Sequence, residues 1–484
     1  MQEMAIMAKQ AFSDQAKDMA LLRDDGDPIY LQICARFKTA IAEGRMAPGD
    51  RVPSVRALAS ELGLSRGTVN LAYQILAEQG YFEFRGAAGT FVDPQLKSSA
   101  SRSNSLPVRA PSEPSSNAKP FQLGLPALDA FPRKTWSRLV SRRSRQLGAE
   151  QLGYPEPAGL MALRERIAAC LAFSRGIVCQ PEQVFVTAGH RASLALIMQA
   201  VFRPGDGIWF EDPGYPVARE FLLAMQARLQ PIPVDQDGLV VEEGRKRAPN
   251  ARFAIVTPAN QSPLCVMMSK DRRGELLKWA EEGQCWIVED DYDSEYRYNR
   301  RPPLSLKAMD RGERVLFTGS FSKVLYPALR LAYVVVPPSE IDVFERACRS
   351  MGSGCPELHQ AVIADFIEQG YFIRHLKKMR MLYAERRQML VDVMQEVFGD
   401  SARTISPPAG LHLVMQIDRH RASYKKIAAL AHADGFGLQP LALWHMGPQS
   451  VDGLLLSFTN LSSRPMAQSL AARLKAICIA SDKE

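Results

Sequence analysis

The chain has 484 residues, 46% hydrophobic and 23% charged, with 60 Lys+Arg against 52 Asp+Glu and a formal charge of +8. That is ordinary globular usage, which excludes a largely disordered or collagen-like chain, and the length suggests about three domains at roughly 150 residues each. No apolar run approaches the ~20 residues of a membrane helix, and residues 1–27 lack the apolar centre of a secretory signal, so the expected compartment is the cytoplasm.

Residues 1–27 read as an N-terminal extension, and residues 28–96 as a small module of three helices and a hairpin. Tyr30–Glu43 has helical periodicity and ends at Gly44. Ser54 precedes Val55, Leu58, Ala59 and Leu62, whose i, i+3, i+4, i+7 spacing predicts a capped helix that stops at Gly63. Ser65 caps the next helix, in which Val69, Ala72, Tyr73 and Leu76 repeat the spacing. Two short helices joined by a Gly-containing turn form a helix-turn-helix. Tyr81–Phe84, the turn Arg85–Gly89 and Thr90–Val92 read as a hairpin wing. The polar residues Ser54, Arg56, Ser65, Arg66, Thr68 and Asn70 open the two helices, where backbone N–H groups favour phosphate and side chains reach base edges. Arg51, Arg85 and Gly89 join them at the wing, and the arginines suit phosphate or guanine contacts.

Residues 97–120 contain eight Ser and four Pro and carry no apolar periodicity, so they read as a linker. From within it onward, residues 98–148 hold nine Lys/Arg against two Asp/Glu, with Arg138, Arg142 and Arg145 at helical spacing. That stripe is either a solvated helix face or a supplementary DNA contact.

Residues 121–484 form the large module. Strand-like runs at Gln183–Thr187, Gly207–Phe210, Arg252–Val256, Trp286–Glu289, Arg314–Thr318 and Tyr333–Val336 alternate with helical stretches such as Arg191–Val201 and Arg272–Glu282. This alternation predicts an α/β part with a mostly parallel sheet at about 150–340. A smaller α+β part follows at about 341–484, with strands near Leu411–Gln416 and Leu454–Thr459. The eight cysteines show no CxxC pair or zinc spacing, so reduced core thiols and no metal site are expected.

Chemistry-bearing residues gather at the predicted strand ends. Lys323 follows a strand in Thr318-Gly319-Ser320-Phe321-Ser322-Lys323, with Arg330 seven residues on. An amine at a pocket mouth can form a Schiff base with a carbonyl cofactor, and Ser320, Ser322 and Arg330 suit a phosphate. Asp290 and Tyr292 share a face at the end of the apolar run Trp286–Val288, where a carboxylate can hold a pyridine nitrogen protonated. Thr187-Ala188-Gly189 opens a helix and offers a phosphate cradle through free N–H groups. Tyr215, in Asp212-Pro213-Gly214-Tyr215, stands where it could stack on a ring.

Two resemblances follow from these motifs. Pro48–Ala59, Leu64–Val69, Ala72-Tyr73 and Gly89–Val92 resemble the winged helix of GntR-type bacterial regulators. The order of motifs over 121–484 resembles a fold-type I PLP-dependent aminotransferase, and the whole chain resembles the MocR/GabR subfamily. The resemblance implies pyridoxal 5'-phosphate (PLP) as cofactor, Lys323 as its Schiff-base lysine, Asp290 at the pyridine nitrogen and Tyr292 at the phenolic oxygen, with Asn260 among the cofactor-binding residues. It implies Tyr215 stacked on the ring, and phosphate held by Ser320, Ser322, Arg330, Gly189, His190 and Arg191. Tyr154 matches the tyrosine that reaches the partner subunit's cofactor in a head-to-tail homodimer. The implied partners are operator DNA and PLP or a PLP–amine effector, with a role in vitamin B6 or amine metabolism.

Three positions depart from the family pattern. Thr-Gly is replaced by Leu264-Cys265 in Thr257-Pro258-Ala259-Asn260-Gln261-Ser262-Pro263-Leu264-Cys265, Gln by Arg191, and the carboxylate-gripping Arg by Leu455 in Leu454-Leu455-Leu456-Ser457-Phe458. An apolar side chain cannot replace a bidentate arginine, which argues against turnover of α-amino acids. The expected function is therefore a DNA-binding regulator that senses PLP. An active aminotransferase that also binds DNA, and a DNA-binding protein whose second part has lost PLP and only dimerises, are the competing readings.

Overall fold

The computed structural model describes residues 28–96, 118–298, 304–352, 354–407, 409–418, 423–448 and 451–482. The extension at 1–27 and most of the expected linker lie outside the described residues. The chain divides into two compact units, Met1–Pro114 and Ser115–Glu484.

The first unit holds helices α1 (Ile29–Ala42), α2 (Val55–Leu62) and α3 (Arg66–Glu78) and strands β1 (Phe82–Phe84) and β2 (Thr90–Val92). Ser54 Oγ accepts from Ala57 N at 3.2 Å and Ser65 Oγ from Thr68 N at 3.1 Å, and Gly63, at φ 64°, ends α2 in the left-handed region. The strands pair antiparallel from Phe82↔Val92 to Phe84↔Thr90. Leu58, Val69, Leu76 and Val92 are fully buried around an edge-to-face trio of Phe37, Tyr73 and Phe82 with centroids 5.2–5.7 Å apart. Tyr73 keeps its hydroxyl satisfied by donating to Pro53 O at 2.9 Å.

The second unit is built on an eight-stranded sheet. Its strands are β3 (Val184–Thr187), β4 (Gly207–Asp212), β5 (Arg228–Asp235), β6 (Gly238–Leu239), β7 (Phe253–Val256), β8 (Trp286–Asp291), β9 (Val315–Ser320) and β10 (Ala332–Val335), in the order β3-β10-β9-β8-β7-β4-β5-β6. From β5 through β4, β7 and β8 to β9 the pairing is parallel. β10 runs antiparallel to both β9 and β3; residues 321–331, with the 3-10 turn Pro327–Leu329, bring the chain back from β9 without a crossover helix. β5 has no counterpart among the expected strands, since Pro231 and Pro233 break its pattern. Apolar layers cover both faces of the sheet. One includes Ile197, Phe210, Val288 and Phe344; the other includes Ile232, Leu276, Ile287 and the stacked pair Trp209/Trp279, 3.9 Å apart.

A smaller antiparallel sheet follows: β11 (Ala402–Ile405), β12 (His412–Ile417), β13 (Gln439–Pro440) and β14 (Leu454–Ser457), in the order β11-β12-β14-β13. The 28-residue helix Tyr371–Phe398 and the helix Arg464–Ser481 pack with it in one core that contains Leu390, Val393, Leu413, Met415, Leu456 and Leu474.

The arginine stripe lies on helix Arg133–Arg145, where Arg138 and Arg145 are exposed and Arg142 is half-buried. Arg142 and Arg143 both bind the buried carboxylate of Asp365, Arg142 at 2.6 Å. Arg138 lies over the Tyr371 ring at 5.6 Å and donates to its hydroxyl at 2.5 Å. These three guanidinium groups hold the helix to its neighbours within the unit.

Candidate functional site

The site gathers at the carboxyl ends of β8 and β9, where the parallel register sets Asp290 beside Thr318. Asp290 is 8% exposed and accepts from Thr318 Oγ1 at 3.1 Å. His190 Nε2 lies 3.0 Å from its other oxygen. Lys323 sits in the turn after β9 and donates Nζ to Gly124 O at 2.7 Å. Burial pulls its pKa below the ordinary lysine value, against the opposing pull of the Asp293 and Asp290 carboxylates. The amine is thereby moved toward the neutral form that attacks a carbonyl.

Asp293 is a member of this site that motif reading did not single out. Burial raises its pKa well above the usual carboxylate range, and Asn260 Nδ2 donates to both its oxygens at 2.9 Å. The same amide nitrogen reaches the Tyr292 hydroxyl at 3.3 Å, and burial holds that phenol protonated far above its ordinary range. Asn260 Oδ1 is buried with no partner among the described residues. Asn260 thus leaves an unspent acceptor close to the Tyr292 hydroxyl, which fits a bound group that carries a hydroxyl.

An aromatic wall stands beside these groups. Tyr215 caps helix Pro216–Ala224, with its ring 5.7 Å from Trp444 and 5.9 Å from His190. Trp444 has no sequence motif. It is held because Asp212 accepts from Met446 N at 2.8 Å and Gly447 N at 2.9 Å, and Arg219 donates to Leu443 O and His445 O at 3.0 Å.

The expected phosphate residues gather at a helix start. Gly189, at φ 99°, precedes helix His190–Val201. A Cβ at Gly189 would lie 3.0 Å from the Arg330 guanidinium, so that cation rests against the turn. Ala332 pairs with both Thr187 and Ser320, which brings the Gly189 turn and the Ser320–Lys323 turn to one end of the sheet. Ser322 N donates to Ser320 Oγ at 3.2 Å. A glycine turn, a helix N-terminus and a guanidinium suit a phosphate group. Arg191 is exposed in the first turn. The His190 ring faces Asp290, while its backbone stands at the first position of that helix. Tyr154 is fully exposed and joins none of these groups in the single chain.

In the winged helix, Arg56, Arg66 and Asn70 are exposed and Thr68 half-buried at the starts of α2 and α3. The hydroxyls of Ser54 and Ser65 are already used as caps. Arg51 is exposed, and its guanidinium lies against Gly89, where a Cβ would approach it to 3.2 Å. Arg85 is paired with Glu83 at 2.8 Å and lies over Phe91.

Comparison with known proteins accounts for both units. Residues 29–92 match the family described as bacterial regulatory proteins, gntR family, and residues 129–439 match aminotransferase class I and II. The probable rhizopine catabolism regulatory protein MocR of Rhizobium meliloti is 34% identical over 469 residues, spanning 93% of this chain and 94% of that protein. The chain belongs to the MocR/GabR subfamily of GntR-type regulators. Also similar to this MocR-type regulator is the pyridoxine biosynthesis transcriptional regulator PdxR of Corynebacterium glutamicum, 28% identical over 91% of this chain and 94% of that one. The kynurenine aminotransferase of Pyrococcus horikoshii superposes with a TM-score of 0.68 at 25% identity, covering 76% of this chain and 92% of the enzyme. The protein is a DNA-binding transcriptional regulator with an aminotransferase-like effector domain, and that fold family is PLP-dependent. Among the described residues, no helix is long and apolar enough to cross a membrane.

Two departures of this MocR-type chain meet in space. Leu455 is fully buried in a cluster with Val414, Leu441 and Trp444, and the half-buried Leu264, Leu123 and Tyr215 pack against it. Cys265, the neighbour of Leu264, holds φ 58°, with its thiol 3.6 Å from His412 Nε2.

Proposed function

We propose that this regulator senses PLP, or PLP joined to an amine, at Lys323 and transmits occupancy of that site to a pair of winged helices on operator DNA. The single observation that carries the reading is the buried, carboxylate-flanked amine of Lys323 beside the Thr318- and His190-bound Asp290. Bound PLP would supply an aldehyde carbon that bonds an amine reversibly. Lys323 would be the amine that bonds that carbon, and Asp290 would accept from a protonated ring nitrogen. Tyr292 and Asn260 would hold the ring's oxygen, Tyr215 would stand against the ring, and Gly189, Ser320, Ser322 and Arg330 would hold the phosphate. The name of the pyridoxine biosynthesis regulator supports a role in vitamin B6 metabolism.

A head-to-tail homodimer completes the reading, with the fully exposed Tyr154 reaching the partner's site. The protein acts in the cytoplasm, where its operator lies. A ligand shifts DNA affinity only through its different affinities for two states of the protein. The loss of the carboxylate-binding arginine at Leu455 favours sensing over transamination. Lys323→Ala tests the proposal: PLP added to wild type should give a visible absorption band and change operator affinity, and the variant should show neither. A Lys323→Ala protein that keeps both responses refutes it.

A further inference from the structure

Leu264 and Leu455 lie 191 positions apart in sequence, yet they belong to one cluster. Its floor is Leu455, Leu441, Val414 and Trp444, all buried, with Val414 paired to Leu455 across β12 and β14. Its rim is Leu123, Leu264 and Tyr215, all half-buried. Leu123 is the neighbour of Gly124, whose carbonyl holds Lys323 Nζ, and Tyr215 is the aromatic wall of the site. Through Leu123 and Tyr215 this hydrocarbon cluster borders the site that holds Lys323. A carboxylate entering such a place loses its water and faces uncharged side chains, while the Arg219 guanidinium is given to Leu443 O and His445 O and Arg330 rests against the Gly189 turn. An apolar substituent in the same place loses only unfavourable contact with water.

We infer that Leu264 and Leu455 are paired specificity determinants, which make the site accept primary amines with apolar, uncharged substituents and reject α-amino acids. The inference rests on the PLP reading above. The entering amine displaces Lys323 from the cofactor carbon: one C–N bond forms as another breaks, two protons pass from the amine to Lys323, and nothing is oxidised.

The test uses the full-length protein with PLP bound and ligand pairs that differ only by the carboxylate: 3-methylbutylamine against leucine, and 2-phenylethylamine against phenylalanine. The amine of each pair should half-shift the visible band at a concentration at least about tenfold lower than the amino acid, the scale of one missing charged hydrogen-bond partner. Leu264→Thr, a mild change at the rim, should narrow that gap, and Leu264→Thr with Leu455→Arg should reverse it. Equal half-shift concentrations in wild type, or a preference for the amino acid, overturn the specificity while leaving PLP sensing intact. A wild type that gives no band with PLP overturns both.

Discussion

Arg66 is expected to carry one phosphate contact per winged helix, and its removal should be readable as a salt slope. It is the first residue of α3, exposed behind the Ser65 cap and without a carboxylate partner among the described residues. Arg85 is by contrast shared with Glu83, and Arg138 is spread over Tyr371. Each phosphate contact contributes about 0.9 to the slope of log affinity against log salt, so a pair of winged helices loses about 1.8 in Arg66→Ala. Between 50 and 200 mM salt, the affinity of the variant should then fall about 12-fold less than that of wild type. Fluorescence anisotropy with labelled operator DNA across that range measures it, with Arg138→Gln as the control that leaves the slope unchanged. An unaltered slope in Arg66→Ala, or an equal loss in Arg138→Gln, would falsify the assignment.

Gly189→Ala should weaken PLP binding about tenfold or more without unfolding the protein, because φ 99° strains any side chain by ~1–3 kcal/mol and the new methyl pushes on Arg330; absorbance titration with PLP reads it. Tyr73→Phe should cost the first unit about 1 kcal/mol in urea unfolding, the worth of the lost bond to Pro53 O, with the aromatic trio kept. Asp365→Asn should cost about 2 kcal/mol at pH 7, a value reduced because Arg142 and Arg143 are partly exposed. Burial acts to raise the Asp365 pKa, but the hydrogen bonds from Arg143 and Arg142 outweigh it and hold the carboxyl below the usual range. The stabilisation is therefore present above the unfolded carboxylate's range, near pH ~4, and is lost as pH falls through the lower folded value. Thermal melts of both proteins should converge at low pH, and a gap that persists below pH ~2 would contradict the pairing.

Much of this protein is legible one element at a time. Ser54, Ser65 and Gly63 act locally, so the caps and the turn of the helix-turn-helix follow from neighbouring residues alone. Strand ends are legible for the same reason: Trp286–Val288 is apolar because the strand is buried on both faces, and the residues that follow stand at its carboxyl end. The tertiary structure decided what those ends meet. His190 follows the Gly189 turn that resembles a phosphate cradle, yet its ring lies on Asp290, 100 positions away. Asp293 carries no motif, and burial and Asn260 make it part of the site. The arginine stripe had helical spacing suited to solvent or DNA, but one of its members, Arg142, also holds Asp365, 223 residues on. Spacing along a chain sets which side chains share a face of a helix or strand. It carries no information about which element lies opposite that face, and the pairings of His190 with Asp290, Trp444 with Tyr215, and Leu264 with Leu455 depend on that.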